Sequence, residues 1–270
     1  MSRFPGKILL AEDQAVNQRV ATAMLGHLGY EVDVVADGQE AVGAAVATPY
    51  RLILMDYQLP VLDGYRATEN IRIAEGPARH TPIVAITGSG SRSAQRRCLA
   101  AGMDDHLPKP LTLKQLDRVL TRWIPSTRLG PIVVDSAGPL EVTSWTERDP
   151  RHPVLDMEVV GRLRRLGESA GDDLIGQLTL IFLEDSEAAI IALREAIGVG
   201  DAAVVVVRTA HALSGASANL GATGLARMFA SLEAVDVAGG LLGAAPTLDA
   251  IEAELGRVRS ALRSLTAKMP

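Results

Sequence analysis

Leu52-Ile53-Leu54-Met55-Asp56 and Ile83-Val84-Ala85-Ile86-Thr87 are short, nearly continuous apolar runs, each closing on a polar residue. A strand that is apolar throughout is covered on both faces, which is the condition of a parallel sheet with helices above and below it. Working outward, Lys7–Ala11, Glu31–Val35 and Asp105–Leu107 read as companion strands. Helical stretches near Val16–Leu28, Gln39–Ala47, Tyr65–Ile73, Ser91–Ala101 and Thr112–Trp123 lie between and after them. The alternation predicts an α/β domain over residues 1–124, a doubly wound five-stranded parallel sheet of the flavodoxin-like kind.

Beyond it the texture changes. Pro125, Gly130, Pro131, Gly138, Pro139, Pro150 and Pro153 break up the chain, so residues 125–153 read as a linker, with room for a short strand at Ile132–Val134. After Val154 the strand signals vanish. Asp156 is placed to cap a helix running to about Leu166, and Asp172 to cap another over Asp173–Ile197. Further helices fit Ala202–Leu220, Gly224–Val237 and Leu248–Ala267. Val204–Val207 is β-branched, but the apolar spacing continues through Leu213 and Leu220, which favours a buried helical turn. Residues 154–270 are therefore expected to form an all-α domain, a four-helix-type bundle.

Composition narrows the function. Hydrophobic residues make up 47% and charged residues 22% of the 270, a globular balance rather than a disordered one. The net charge of -5 and the 3% aromatic share leave little with which to hold a phosphate backbone or stack bases, so no nucleic-acid partner is expected. The lone Cys98 excludes an internal disulfide framework. No apolar run reaches the roughly 18–20 residues of a membrane span, and the expectation is a cytoplasmic protein without membrane insertion.

Parallel strands bring their C-terminal ends to one rim, where this architecture holds its ligands. Glu12 and Asp13 follow the first strand and Asp56 ends the third. Three carboxylates on one rim repel unless a cation joins them, and oxygen ligands favour Mg²⁺. Thr87 and Lys109 reach the same rim from the fourth and fifth strands. An acidic metal pocket with one hydroxyl and one ammonium suits a phosphoryl group.

At these residues the chain resembles the receiver domain of bacterial response regulators and hybrid sensor kinases. The matching stretches are Leu10–Gln18, Met55–Gly64, Ile83–Thr87 and Lys109-Pro110, in order. The resemblance implies that Asp56 accepts phosphate. It implies that Asp13, Asp56 and the backbone carbonyl of Gln58 bind Mg²⁺, that Glu12 assists through water, and that Thr87 and Lys109 grip the phosphoryl oxygens. A cis Lys109–Pro110 peptide fits the same pattern. Two positions depart from it. His106 stands where the family carries an aromatic switch residue, and Gly88 stands where it usually carries Ala, which should ease access to the aspartyl phosphate.

One histidine has comparable context. At about 100° per residue, Val206, Leu213 and Leu220 fall opposite His211, so the imidazole is expected to point to water, with Arg208 and Gly215 on its own face. An unburied imidazole is mostly an uncharged nucleophile at neutral pH. A glycine one turn away would let another protein come close. Ala210–Ala222 resembles the phosphoacceptor helix of histidine-containing phosphotransfer domains, with Phe182–Asp185 and Leu232-Glu233 fitting around it. That resemblance makes His211 a second phosphoacceptor. Ser214 occupies a position where the family commonly has Lys, and Arg208 would then supply the charge.

The two resemblances together imply a two-component phosphorelay protein with no ATP-binding kinase element, fed by a histidine kinase or another phosphodonor and serving a partner receiver or phosphotransfer domain. It is expected to be a phosphoryl carrier rather than an enzyme, self-dephosphorylation aside. Two other classes stand beside it: a binding module switched by phosphorylation at Asp56 whose bundle only docks partners, and a nucleotide-dependent enzyme built on Gly88-Ser89-Gly90. The latter loop lacks a third glycine, since Ser93 stands there, and it follows the fourth strand rather than the first.

Overall fold

The computed structural model describes residues 6–88, 92–124, 153–199, 203–233 and 244–267. The expected linker, with its strand at Ile132–Val134, lies outside the described residues but for Pro153. Five strands, β1 (Lys7–Ala11), β2 (Glu31–Val35), β3 (Leu52–Asp56), β4 (Ile83–Thr87) and β5 (Asp105–Pro108), pair in parallel in the order β2-β1-β3-β4-β5. Between and after them run α1 (Ala15–His27), α2 (Gly38–Ala47), α3 (Gly64–Glu75), α4 (Arg92–Ala100) and α5 (Leu113–Trp123).

The apolar runs divide by parity, as period-2 geometry requires. Leu52, Leu54, Val84 and Ile86 pack with Ala21 and Leu25 of α1 and Leu116 and Leu120 of α5. Ile53, Met55, Ile83 and Ala85 pack with Ala41 of α2, Ala67 of α3 and Cys98 of α4. Each such large side chain contributes about 1.5–3 kcal/mol by leaving water. Both faces are covered, which is why β3 and β4 carry no polar residue before their ends. Asp63 caps α3 by accepting from the Arg66 amide at 2.9 Å, and a Cβ at Gly64 would lie 2.1 Å from the Asp56 carbonyl oxygen. Asp63-Gly64 is turn chemistry that lets α3 start tight against the end of β3.

The second half is helical: α6 (Met157–Ala170), α7 (Leu174–Val199), α8 (Ala203–Asn219), α9 (Thr223–Glu233) and α10 (Ala244–Thr266). The Val204–Val207 turn is helical, within α8, despite its β-branched residues, but it is not buried as a whole: Val206 joins Leu213, Leu220, Phe182, Phe229 and Leu255 in the core, while Val204 and Val205 are exposed. Asp156 caps α6 through the Glu158 amide at 2.9 Å. The cap of α7 is Asp173, not Asp172: its carboxylate accepts from the Gly176 amide at 2.9 Å. Asp172 is drawn elsewhere, to Gln177 and to Arg19 of α1.

That last contact belongs to a broad seam between the halves. Val16 and Val20 lie on the face of α1 turned from the sheet, and they are buried in the same apolar cluster as Val160, Leu178 and Leu213 of the bundle. Around them Arg19 pairs with Asp172, His27 Nδ1 lies 2.9 Å from the Ser169 hydroxyl, and Asn219 donates to Asn17 at 2.8 Å. One helix therefore serves two cores. No helix among the described residues is long and apolar enough to cross a membrane.

Candidate functional site

The rim forms where expected. Carboxylate oxygens of Glu12, Asp13 and Asp56 lie within 4.8 Å of one another. Glu12 and Asp56 have side chains only 2% exposed, and Lys109 joins them, its ammonium 2.8 Å from Glu12 and 2.6 Å from Asp56. The Lys109–Pro110 peptide is cis. Thr87 is buried beside them, with its hydroxyl 3.5 Å from the Leu107 carbonyl. The Gln58 amide donates to Asp56 at 3.0 Å.

The electrostatics show a cluster short of positive charge. Burial, together with the neighbouring Asp56 charge, pushes the Glu12 carboxyl up against the pull of Lys109. Burial and Glu12 push Asp13 up in the same way. For Lys109 burial works downward, but Asp56 and Glu12 outweigh it and hold the ammonium well above its ordinary value. Three acids against one lysine leave room for one hard cation on oxygen ligands, so the donor set fits a divalent ion.

Lys109 therefore has structural weight as well as a place at the rim. Lys109→Ala is expected to destabilise the fold by about 3 kcal/mol in chelator, because it strands two buried carboxylates. A divalent cation should restore much of the loss. Thermal or urea unfolding with and without magnesium checks this, and an unchanged melt in chelator would show that the acids take up protons instead.

The bundle meets this rim. His211, expected to face water, is only 14% exposed on its side chain. The reading of its own helix is right, since it lies off the bundle core, but the receiver-like half covers it. Its ring sits 6.2 Å from Tyr57 in an edge-on arrangement, and Gly88 lies against it on another side. Nδ1 is 2.9 Å from Glu233 Oε1. A carboxylate can only accept, so in the neutral ring Nδ1 carries the proton and Nε2 the lone pair. Nε2 is buried and has no hydrogen-bond partner. Tyr57, squeezed between the halves, has its phenol pushed up to about 12, by burial first and then by Asp56 and Glu233.

The other expected residues divide. Gly215 does admit a neighbour, since a Cβ there would sit 3.4 Å from the Asn17 amide nitrogen. Arg208 is exposed and near enough for its charge to act on Asp13. Ser214 turns inward, its hydroxyl donating to the Ala226 carbonyl of α9 at 2.9 Å, so it belongs to the bundle's own packing. His106 is partly buried and sits 2.9 Å from the Gln95 side chain. Asn17 and Asn219 escaped the reading of the sequence as site residues. Asn17 donates to Glu12 at 2.9 Å while accepting from Asn219, a chain running from the carboxylate rim to the end of α8.

Comparison with known proteins gives two family matches. Residues 8–121 match the response regulator receiver domain, and residues 177–261 match the Hpt domain. Sensor histidine kinase GacS of Pseudomonas protegens is 30% identical over 260 residues, covering 90% of this chain and 27% of that protein. Hybrid signal transduction histidine kinase G of Dictyostelium discoideum is 44% identical over 123 residues, covering 45% of this chain and 4% of that protein. Among solved structures, the receiver domain of sensor histidine kinase PA1611 from Pseudomonas aeruginosa, crystallised with magnesium in its active-site cleft, is 50% identical. It covers 45% of this chain and 98% of its own, with a TM-score of 0.42. The chain thus spans about a quarter or less of the length of these two curated relatives.

Proposed function

We propose that this chain, which matches a response regulator receiver domain followed by an Hpt domain, is a two-component phosphorelay protein that passes a phosphoryl group between Asp56 and His211 within one molecule. The observation that carries the reading is the unpartnered, buried Nε2 of His211 at the rim that holds Asp56. In the forward direction the Asp56 carboxylate takes the phosphoryl group from an external donor. The Nε2 lone pair then attacks phosphorus. The new N–P bond forms as the bond to the Asp56 oxygen breaks, and the carboxylate leaves with the electron pair. The same path run backward returns phosphate to Asp56.

Each neighbour has a part in this transfer. Glu233 keeps the proton on Nδ1 and fixes the ring, so Nε2 stays free to attack. Lys109 and Thr87 neutralise and orient the phosphoryl oxygens, and Arg208 adds positive charge from the bundle. Glu12, Asp13, Asp56 and the Gln58 carbonyl would hold Mg²⁺, which supplies charge neutralisation for the anionic group. The donor in this proposal is a histidine kinase or another phosphocarrier, and the division at residues 124 and 154 separates the two carrier domains. A purely docking role for the bundle would leave the free Nε2 and its Glu233 partner without a purpose.

Labelling with acetyl phosphate and magnesium should give two chemically distinct products, a base-labile acyl phosphate on Asp56 and an acid-labile, base-stable phosphoramidate on His211. His211→Gln is expected to remove only the base-stable fraction. If wild type acquires none of that fraction, the bundle is a docking element.

A further inference from the structure

Resting on that reading, we propose that Gly88 is the specificity-determining residue on the receiver side: its missing side chain is the socket for the His211 imidazole. A Cβ built on Gly88 would lie 2.6 Å from His211 Cε1 and 3.5 Å from each ring nitrogen, and these are its three nearest neighbours. Carbon atoms in ordinary contact stand about 3.5–4.0 Å apart, so the ring would have to retreat by roughly 1 Å. Nothing in the backbone demands glycine at this position. Gly88 is absent from the glycines with positive φ, so alanine can adopt its conformation. The demand for glycine comes from the other domain.

The imidazole has no easy way to yield. Nδ1 is held by Glu233, the ring packs edge-on with Tyr57 at a 72° interplanar angle, and the helix beneath it is tied to α1 where Asn219 donates to Asn17 at 2.8 Å. Moving the ring breaks the Glu233 bond. Moving the helix opens the seam at Val16 and Val20. Either way Nε2 leaves its place beside the rim, and displacement of a reacting atom by about 1 Å costs on the order of 100-fold in rate. A receiver with alanine here would still present Asp56 to a donor while refusing this histidine in this pose. Gly88 thus selects which partner the aspartyl phosphate can serve.

The test compares full-length wild type with Gly88→Ala, following acyl phosphate on Asp56 and phosphoramidate on His211 separately in time. The expected result is a fall of about 100-fold in the rate of His211 labelling per phosphorylated Asp56. A second measurement needs no phosphate. Carbethoxylation of His211 by diethyl pyrocarbonate, read by peptide mass spectrometry, should be slow in wild type and several-fold faster in Gly88→Ala, with the circular-dichroism spectrum unchanged. If wild type labels His211 and Gly88→Ala labels it just as fast with equal protection, the socket is wrong while the relay stands. If wild type never labels His211, relay and socket fall together.

Discussion

Asp56→Asn is expected to cut phosphate incorporation from acetyl phosphate by more than 100-fold, to background, on both Asp56 and His211. An amide is no nucleophile, and His211 in this pose receives phosphate only by way of Asp56. The rim holds two other carboxylates, Glu12 and Asp13, but Glu12 is engaged by both Lys109 and Asn17. Chelation should silence wild type in the same assay, since an anionic donor meets three acids and a single lysine. Stability in chelator should hold, because Lys109 keeps Glu12 as its partner and one buried repulsion is relieved. Substantial label surviving in Asp56→Asn would move the acceptor to another residue, which peptide mapping would identify.

The second large effect is kinetic. In wild type, transfer from Asp56 to His211 should be first order and independent of protein concentration. A mixture of Asp56→Asn and His211→Gln chains must meet in solution, and its rate should fall with dilution. Tethered domains see one another at an effective concentration around the millimolar range, so at micromolar protein the single chain should lead by about 1000-fold. The docked seam strengthens the contrast, because each mutant chain covers its own site with its own bundle. Equal rates at high dilution would mean that the two domains serve separate partners.

Much of the fold was legible because hydrophobic period reports local geometry. The strand limits agree with the apolar runs almost residue for residue, and the flat apolar texture of β3 and β4 foretold helices on both faces. The rim was equally plain, since parallel strand ends converge by construction. What failed to show was anything made between the halves. The pattern around His211 described its own helix correctly, but could not register a covering surface contributed by Tyr57 and Gly88. Asp172 looked like a cap because Arg19, which claims it, is 153 positions away. Asn219 and Asn17 stand 202 apart, and neither carries a local hint of the other. Gly88 stands out in the sequence as a departure from the family that should ease access to the aspartyl phosphate, but nothing local marks it as room for an imidazole.

Asn17 stands at the junction of the carboxylate rim and the bundle. Its amide nitrogen donates to Glu12, one of the acids that would surround a cation, while its amide oxygen accepts from Asn219 of the bundle. Cation holding and domain docking therefore draw on the same side chain, and thermodynamic linkage makes their influence mutual. Whatever factor separates the cation affinity of the docked and undocked chain is also the factor by which the cation shifts the docking equilibrium. The ion that prepares the receiver for phosphate thereby helps decide how long the histidine stays beside it.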